Sequence, residues 1–360
     1  MKIVIKVGTQ AILAADGSPQ NAIIEELTRN ISQLHKDGHQ VALVSSGAVG
    51  AGRRVAKTLL NRTFGNSIGE KQMMASMGQH ELMAAYAQMF RPHGMAVAQL
   101  LLTKQDFQTR LHYLNIARVL REVLGQKNIV PVINENDSVA VEELMFTDND
   151  ELAGLVAAQI NADKLIIFTS VAGVFDGPPD LAGSKLITCI DPQKDGWPEV
   201  SATKSTQGRG GMMTKLGTAR KMSDLGITTH IVGIHEKDAI AHILSGPAPG
   251  TTVLPMRKKS NVKKWMAYSA DPHTGNIRIN APLLDLLRDN NRILSILPVG
   301  LEDCTGNFKK GDLIDILAPD GKIIGIGIAR YGAEKLRDYI GKKGMPEIIH
   351  YDHLHVHTGA

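Results

Sequence analysis

Cysteine and aromatic residues are scarce in this chain of 360 residues, which has two cysteines and 4% aromatic residues. Cys189 and Cys304 lie too far apart for a metal-binding or redox motif, so we expect two ordinary buried thiols in a reducing compartment. No apolar run approaches the roughly 18 residues that a membrane-spanning helix requires, and no signal peptide precedes the strand-like start. We therefore expect a soluble cytoplasmic protein with no membrane partner.

The chain also has little net charge, and its surplus lies at one end. The formal net charge is +4, and 43% of the residues are hydrophobic. Residues 251–360 hold 16 Lys+Arg against 12 Asp+Glu, so the whole basic surplus lies in this C-terminal part. A mild surplus permits contact with nucleic acid, although it is more often a solvated surface. The length indicates about two to three domains with ample apolar residues for a core.

Apolar strands alternate with amphipathic helices through the first 250 residues. This alternation predicts an α/β fold with a mainly parallel sheet and helices on both faces. Ligands bind such sheets beyond the carboxyl ends of the strands, so site residues are expected there. The predicted strands are 2–7, 40–44, 96–102, 129–133 and 164–168, and the predicted helices are 22–35, 71–90, 114–124, 152–160 and 216–225.

Two polar clusters stand where such site residues belong. The buried strand 129–133 breaks into Asn134-Glu-Asn-Asp137, and Thr147-Asp-Asn-Asp150 opens an Ala-rich helix. Aspartate and asparagine at a helix start can cap free N–H groups, but capping needs one residue and four polar residues stand here. We therefore favour a functional role over a structural one for Asp137, Asn149 and Asp150.

Positive charge and glycine concentrate at three other turns. Lys6 ends the first strand before Gly-Thr, where the alternative role is an edge-strand lysine that prevents aggregation. The Gly-rich turn 45–53 can present N–H groups to an anion, or can simply permit close packing of a helix. The loop 206–215 places three glycines between Arg209 and Lys215, which suits polyphosphate, with a disordered surface loop as the alternative. Neither segment is a Walker loop or a G-x-G-x-x-G fingerprint.

The sequence pattern of the chain changes after residue 250. We predict an α/β domain at 1–255, a basic linker at 256–270, a small β-rich barrel-like domain at 271–352 and a tail at 353–360, because closely spaced strands with glycine turns follow the linker. Histidines occupy positions 350, 353, 355 and 357. Their alternation suits a strand or a tail better than a metal site, so we assign no metal ligand.

The candidate residues form one cationic, Gly-rich set and one polar, acidic set. No Ser-His-Asp or Cys-His arrangement is evident. Phosphoryl transfer requires cations to neutralise the transferred group and an attacking oxygen held in line with it. Lysines from two separate elements and a positioning carboxylate would meet these needs, with Mg²⁺ bridging the phosphate oxygens.

Five short motifs follow one another along the chain: Lys6-Val-Gly-Thr9, Ser45-Ser-Gly-Ala48, Val130-Pro-Val-Ile-Asn-Glu-Asn-Asp137, Asp148-Asn-Asp150 and Gly210-Gly-Met-Met-Thr-Lys215. Together they resemble the amino acid kinase family. The Val-Ile-Asn-Glu-Asn-Asp run and a C-terminal segment that resembles a PUA domain point to its glutamate 5-kinase branch, and the resemblance covers the whole chain. It implies ATP-dependent phosphorylation of the L-glutamate γ-carboxylate to γ-glutamyl phosphate, the first step of proline synthesis.

The resemblance also implies roles for individual residues. Lys6 and Lys215 would stabilise the transferring phosphoryl group, and Asp150 would orient both lysines. The family usually has Asp at the position of Ser170 and Thr at that of Arg209. The residues implied to bind L-glutamate are Ser46, Gly47, Asn134, Asp137 and Asn149. The residues implied to bind ATP are Lys6, Thr169, Ser170, Arg209, Gly210, Gly211, Met212, Met213, Thr214 and Lys215.

Several partners follow from the same resemblance. They are ATP with Mg²⁺, proline as a feedback inhibitor, a glutamyl phosphate reductase, and further copies of the chain in a dimer or tetramer. PUA domains generally bind RNA, so an RNA-binding or RNA-modifying protein is the rival interpretation. RNA recognition normally adds aromatic stacking platforms, which are few here, so we do not expect RNA as the main ligand. A sister kinase acting on another carboxylate or phosphate is the nearer alternative.

Overall fold

The computed structural model describes residues 1–108, 110–140, 148–179, 181, 183–198, 211–256, 275–288 and 294–356. The chain divides into two compact units, Met1–Lys258 and Lys259–Ala360. Among the described residues, no helix is long and apolar enough to cross a membrane.

The first unit is built around an eight-stranded sheet with the strand order β3-β4-β2-β1-β5-β7-β8-β6. All neighbouring strands run parallel except β7 and β8. The strands are β1 Lys2–Val7, β2 Gln40–Ser45, β3 Ala96–Leu102, β4 Ile129–Glu135, β5 Lys164–Thr169, β6 Cys189–Ile190, β7 Thr228–Gly233 and β8 Thr251–Val253.

Helices cover both faces of this sheet, which confirms the predicted α/β class. Because both faces are covered, Ile3, Val4, Ile5 and Val7 of the central strand are all fully buried. The odd-numbered residues of β1 pack with α2, α4 and α9, and α7 and α8 lie on the opposite face. The helices are α1 Thr9–Ile12, α2 Asn21–Lys36, α3 Ala48–Leu59, α4 Ile68–Phe90, α5 Gln105–Gln108, α6 Arg110–Leu124, α7 Asn149–Ile160, α8 Met212–Asp224 and α9 Ala239–Ser245.

Two glycines bring α3 and α4 into very close contact. A Cβ atom on Gly52 would overlap the backbone of Met74, and one on Gly78 would overlap the backbone of Ala48 and Gly52. Helix α4 begins at a capping box, in which Ser67 accepts a hydrogen bond from the Glu70 N–H and the Glu70 carboxylate accepts one from the Ser67 N–H. The long helix α4 is therefore fixed both at its start and along the face that meets α3.

The second unit contains a five-stranded sheet with the order β10-β9-β11-β12-β13. Strands β9 and β11 run parallel and the other neighbours antiparallel. Its core is apolar, with Ile277, Ile314, Ile316 and Leu336 fully buried. The elements are β9 Gly275–Ile279, α10 Ala281–Arg288, β10 Leu301–Gly306, β11 Leu313–Leu317, β12 Ile323–Ile328, α11 Ala333–Tyr339 and β13 Leu354–Val356.

The structure corrects two expectations drawn from the sequence. The predicted tail at 353–360 begins too early, because Leu354–Val356 pairs with β12 as the last strand of the second sheet. Cys304 is buried as expected, but Cys189 is exposed, since it lies on the two-residue edge strand β6. The predicted linker at 256–270 lies outside the described residues except for Met256.

Candidate active site

Four neighbouring strands carry polar residues at or next to their ends, at one edge of the first sheet. Lys6 and Val7 of β1 pair with Val44 and Ser45 of β2, and Val44 pairs in turn with Ile133 of β4, one residue before Asn134. Lys6 also pairs with β5, two residues before that strand ends at Thr169. Because parallel strands end at the same edge, these polar side chains converge there.

Lys6, Asp150 and Lys215 form a buried ion cluster at this edge. The Lys6 ammonium lies 2.7 Å from Asp150 Oδ1, and the Lys215 ammonium lies 2.8 Å from Asp150 Oδ2. The side chains of the two lysines are 7% and 10% exposed, and that of Asp150 is fully buried. One carboxylate thus holds two cations that come from different elements, β1 and α8, and the three groups together carry one net positive charge.

The two lysines keep Asp150 ionised in spite of its burial. Burial alone would raise the pKa of the Asp150 carboxyl, but the charges of Lys6 and Lys215 and their hydrogen bonds outweigh it and lower that pKa. Asp148 lies close by, and burial together with the negative charge of Asp150 raises its pKa. The pKa values of these two carboxyl groups are therefore shifted in opposite directions, a pattern that is common at functional sites.

Asp148, and not Asn149 or Asp150, caps helix α7. The Asp148 carboxylate accepts hydrogen bonds from the backbone N–H groups of Asp150 and Glu151. The side chains of Asn149 and Asp150 are consequently left for other contacts. This division of labour explains why several polar residues stand together where a cap needs only one.

A chain of side-chain amides lies beside the ion cluster. The Asn149 amide nitrogen lies 2.8 Å from Ser46 Oγ, 3.0 Å from the Ser45 backbone oxygen and 2.8 Å from Asn134 Oδ1, and its two hydrogens are shared among these three acceptors. The Asn134 amide nitrogen donates in turn to Gln79 Oε1 at 2.8 Å. Residues from β2, β4, α4 and α7 are thereby joined in one polar network.

The glycine turn after β2 and the turn after β4 border this network. Gly47 adopts φ 113°, a conformation that favours glycine, and it directly precedes helix α3. Asp137 is half-buried in the turn that follows β4. The neighbouring Ser138 Oγ accepts a hydrogen bond from Ser76 Oγ of α4 at 2.9 Å.

The residues expected to contact ATP lie at the end of β5 and the start of α8. Thr169 ends β5 and Ser170 follows it, exposed. Gly211 precedes α8, and its N–H donates to Thr214 Oγ1 at 3.1 Å. Met212, Met213, Thr214 and Lys215 form the first turn of α8, whose N–H groups favour anions. Arg209 and Gly210 lie outside the described residues.

Helix α4 contributes residues that the sequence did not point to. Its polar side chains at positions 72, 76, 79 and 86 form hydrogen bonds to the segments that carry the site. Tyr86 OH lies 2.9 Å from Ser45 Oγ, and the Gln72 amide donates to the Ala140 oxygen at 3.2 Å. Spacings of four, three and seven place these four residues on one helix face, and that recurrence is the signal that could have found them.

Comparison with known proteins identifies the family of this chain. Residues 1–233 match the Amino acid kinase family, and residues 290–350 match the PUA domain. This chain belongs to the amino acid kinase family. It is 43% identical over 356 residues to the protein named Glutamate 5-kinase from Chlorobaculum tepidum, an alignment that covers 99% of this chain and 97% of that one. It is 37% identical over 358 residues to the Glutamate 5-kinase of Bacteroides thetaiotaomicron, covering 99% and 98%.

In this member of the amino acid kinase family, the structure brings together most of the residues singled out from the sequence. Lys6, Asp150 and Lys215 are in direct contact, and Ser46, Asn134 and Asn149 are joined by hydrogen bonds. Within the described ranges, no group of three or more His, Cys, Asp or Glu side chains is placed to hold a metal ion by itself. The residues of this site suit a reaction in which the bound substrate is an anion and carries most of the negative charge.

Proposed function

We propose that this protein transfers the γ-phosphoryl group of ATP to the γ-carboxylate of L-glutamate, forming γ-glutamyl phosphate, in the cytoplasm. The buried cluster of Lys6, Asp150 and Lys215 carries the proposal, because two cations held by one carboxylate form a preorganised anion site. The names of the relatives from Chlorobaculum tepidum and Bacteroides thetaiotaomicron support glutamate as the acceptor.

In this reaction a γ-carboxylate oxygen attacks the terminal phosphorus of ATP. A new P–O bond forms to the carboxylate while the bond to the bridging oxygen breaks, and ADP leaves with the bonding electrons. Charge spreads over the three equatorial phosphoryl oxygens during transfer. Lys6 and Lys215 neutralise that charge, and Asp150 holds their ammonium groups in place throughout, so little reorganisation is required in the transition state.

The amide network beside the cluster binds the acceptor. Ser46, Gly47, Asn134 and Asn149 line one continuous polar region that adjoins Asp150 through the first turn of α7. Asp137 is the acidic group assigned to the α-ammonium, since a carboxylate is the natural partner of a cation. Glutamate held there would place its γ-carboxylate toward the lysines.

The nucleotide lies on the other side of the lysines. The first turn of α8, residues 212–215, offers backbone N–H groups to the phosphates, with Gly211 allowing close approach. Thr169 and Ser170 lie at the same edge of the sheet, and the sequence adds Arg209 and Gly210 to the residues assigned to ATP.

Mg²⁺ fits the chemistry of this site as an ion that neutralises charge on the ATP phosphates. It usually takes one or two carboxylates and obtains its other ligands from phosphates and water. Asp150 is committed to the lysines, whereas Asp148 Oδ2 is buried and takes no part in the capping of α7, which uses Oδ1. Asp148 would therefore be the protein ligand, and a cation there would offset the burial that raises its pKa.

Release of ADP with a panel of acceptors tests the proposal. With ATP and Mg²⁺ we expect turnover with L-glutamate and little with L-aspartate, N-acetyl-L-glutamate, carbamate or UMP. Turnover only with another acceptor would support phosphoryl transfer but show that the substrate is that acceptor and not L-glutamate. A folded protein that releases no ADP with any of them would refute the proposal and turn attention to RNA, whose binding should then weaken steeply with salt.

A matched pair of lysine variants on α8 sharpens the test. Lys215→Met removes an ammonium from the cluster and should lower kcat by about 100- to 1000-fold, the usual effect of losing a transition-state donor. Lys221→Met, on the same helix, removes a half-exposed ammonium that lies 4.0 Å from Glu151 and should leave kcat close to that of the wild type. Equal activity in the two variants would contradict the role given to Lys215.

We propose three further features on the family resemblance alone. They are assembly as a dimer or tetramer, inhibition by proline, and consumption of the acyl phosphate by a glutamyl phosphate reductase. A monomer mass in light scattering would contradict the assembly. A rate of ADP release unchanged by proline would contradict the inhibition. A reductase whose rate does not rise when this protein is added would contradict the third feature.

A further inference from the structure

Backbone groups fix the orientation of the two asparagines in the amide network, Asn134 and Asn149. The Glu135 backbone N–H donates to the Asn134 side chain at 2.9 Å, so the atom that receives it must be Oδ1. The other end of that amide, Nδ2, then faces Gln79. Only the oxygen of Gln79 can accept from it, so Gln79 presents Oε1 to Asn134 at 2.8 Å.

A second backbone group fixes Asn149. Its amide lies 3.0 Å from the Ser45 backbone oxygen, which can only accept, so this side of the amide must be Nδ2. The same nitrogen reaches Asn134 Oδ1 at 2.8 Å. The Asn134 oxygen therefore helps to hold Asn149 in this orientation, and it does so only while Asn134 turns its nitrogen, and not its oxygen, toward Gln79.

Two buried polar atoms are left over by these assignments. Asn149 Oδ1, an acceptor, and Gln79 Nε2, a donor, have no hydrogen-bond partner among the described residues. Gln79 is 7% exposed and Asn134 is 1% exposed, so water is largely excluded from both. Buried polar groups are normally paired, and an exception at a candidate site indicates a group that a ligand completes.

We propose that Gln79 is a positioning residue that sets the specificity of the acceptor site. It holds the Asn134 amide, which holds Asn149 with Oδ1 turned out as an acceptor for an N–H group. The α-ammonium of an amino acid acceptor supplies that group. This inference rests on the proposed function, and it assigns α4 the task of distinguishing an amino acid from a plain dicarboxylate.

The ratio of kcat/KM for L-glutamate to that for glutarate measures this role. Glutarate has both carboxylates and lacks the ammonium. In Gln79→Met the acceptor for Asn134 Nδ2 is lost, so we expect the ratio to fall by about 10- to 100-fold, as for loss of a hydrogen bond to a charged group. We expect the change mainly in KM for glutamate, with KM for ATP within about twofold of the wild type, because none of the residues assigned to ATP belongs to this network.

Two companion variants separate positioning from general damage. Gln79→Glu keeps an oxygen opposite Asn134 Nδ2, so it should restore most of the preference for glutamate. Gln159→Met removes another glutamine that is 7% exposed and that donates to the Tyr113 backbone oxygen at 2.7 Å. It should lower stability to a similar degree and leave the ratio unchanged. If Gln79→Met does not fold, Gln79→Asn applies the same test, because its amide is too short to reach Asn134.

Three results would overturn the inference. They are an unchanged glutamate-to-glutarate ratio in folded Gln79→Met, a Gln79→Glu variant as indiscriminate as Gln79→Met, or an equal fall of the ratio in Gln159→Met. Failure of the proposed function is recognised separately, because the wild-type protein would then show no turnover with glutamate.

Discussion

Replacing Asp150 by asparagine removes the single negative charge that stands between two buried ammonium groups. The substitution keeps the size of the side chain and changes the net charge of the cluster from one positive to two. Both contacts are short, 2.7 Å to Lys6 and 2.8 Å to Lys215, and the carboxylate is fully buried. Water therefore cannot replace the lost charge, and the two lysines repel each other.

The expected loss of stability follows from the burial. Removing one partner of a buried ion pair costs about 3–5 kcal/mol, and we use this range once because both contacts end on one carboxylate. For a unit of this size, 1 kcal/mol corresponds to about 2–4 °C, so the melting temperature should fall by roughly 6–20 °C. Lys6→Met should cost less, because it leaves Asp150 and Lys215 as a neutral pair.

The assay is thermal unfolding of the wild type, Asp150→Asn and Lys6→Met, combined with kcat for each. We expect kcat to fall by about 100- to 1000-fold in Asp150→Asn, since the lysines lose their common anchor. Because the pKa of Asp150 is lowered in the folded state, its contribution is complete above the ordinary value of 3.8 and is lost as the pH falls through the lower folded value. The stability gap to Asp150→Asn should thus stay constant from pH 8 to 5. An Asp150→Asn variant at least as stable as Lys6→Met, with kcat near that of the wild type, would refute this reasoning.

Two other predictions concern packing and a buried histidine away from the site. Gly78→Ala places a Cβ atom inside the Ala48 and Gly52 backbone, so α3 and α4 must separate. We expect the free energy of unfolding, measured by chemical denaturation, to fall by about 1–3 kcal/mol. An unchanged free energy of unfolding would show that the helices separate freely. Burial, assisted by the charge of Lys164, lowers the pKa of His230 to about 4, so the unfolded chain binds a proton more readily below pH 6.5. The free energy of unfolding should therefore fall by about 3 kcal/mol between pH 6.5 and 4. In His230→Gln, melting curves should show a weaker dependence of stability on pH over this range. An equal dependence in both proteins would contradict the assignment.

The sequence was sufficient for the parts of the site that local pattern controls. Strand 129–133 and the polar run after it identified the sheet edge, because an abrupt change from apolar to polar residues marks the end of a buried strand. Lys6 stood out at the end of an apolar strand, Asp150 at the start of an Ala-rich helix and Lys215 at the edge of a Gly-rich loop, and the structure places them in contact. Their catalytic roles remain a prediction.

The role of α4 depends on packing between distant segments and could not be read from local pattern. The sequence of α4 is rich in methionine and alanine, which suits a helix that packs in a core, and its polar residues gave no hint of a partner. Gln79 meets Asn134 across 55 positions of the chain, and Tyr86 meets Ser45 across 41. The close approach at Gly52 and Gly78 determines the position of α4. A glycine inside a predicted helix does not indicate which other helix it will contact.

The assignment of capping was also beyond the sequence. Three consecutive polar residues, Asp148, Asn149 and Asp150, could each have capped α7. The helix begins at Asn149, so Asp148 alone has the extended backbone and the position from which its carboxylate can meet the free N–H groups. A shift of one residue in that start would have exchanged the roles of all three.

Transfer of an oxygen label tests the central claim most directly. L-glutamate carrying ¹⁸O in its γ-carboxylate is incubated with ATP, Mg²⁺ and hydroxylamine, and the released phosphate is examined by ³¹P NMR. If a carboxylate oxygen attacks ATP, hydroxylamine then attacks the carbonyl carbon of the acyl phosphate, and the phosphate leaves with one ¹⁸O atom. We predict one ¹⁸O in the phosphate for every γ-glutamyl hydroxamate formed. Phosphate without the label would mean that water, and not glutamate, receives the phosphoryl group, and would contradict the account.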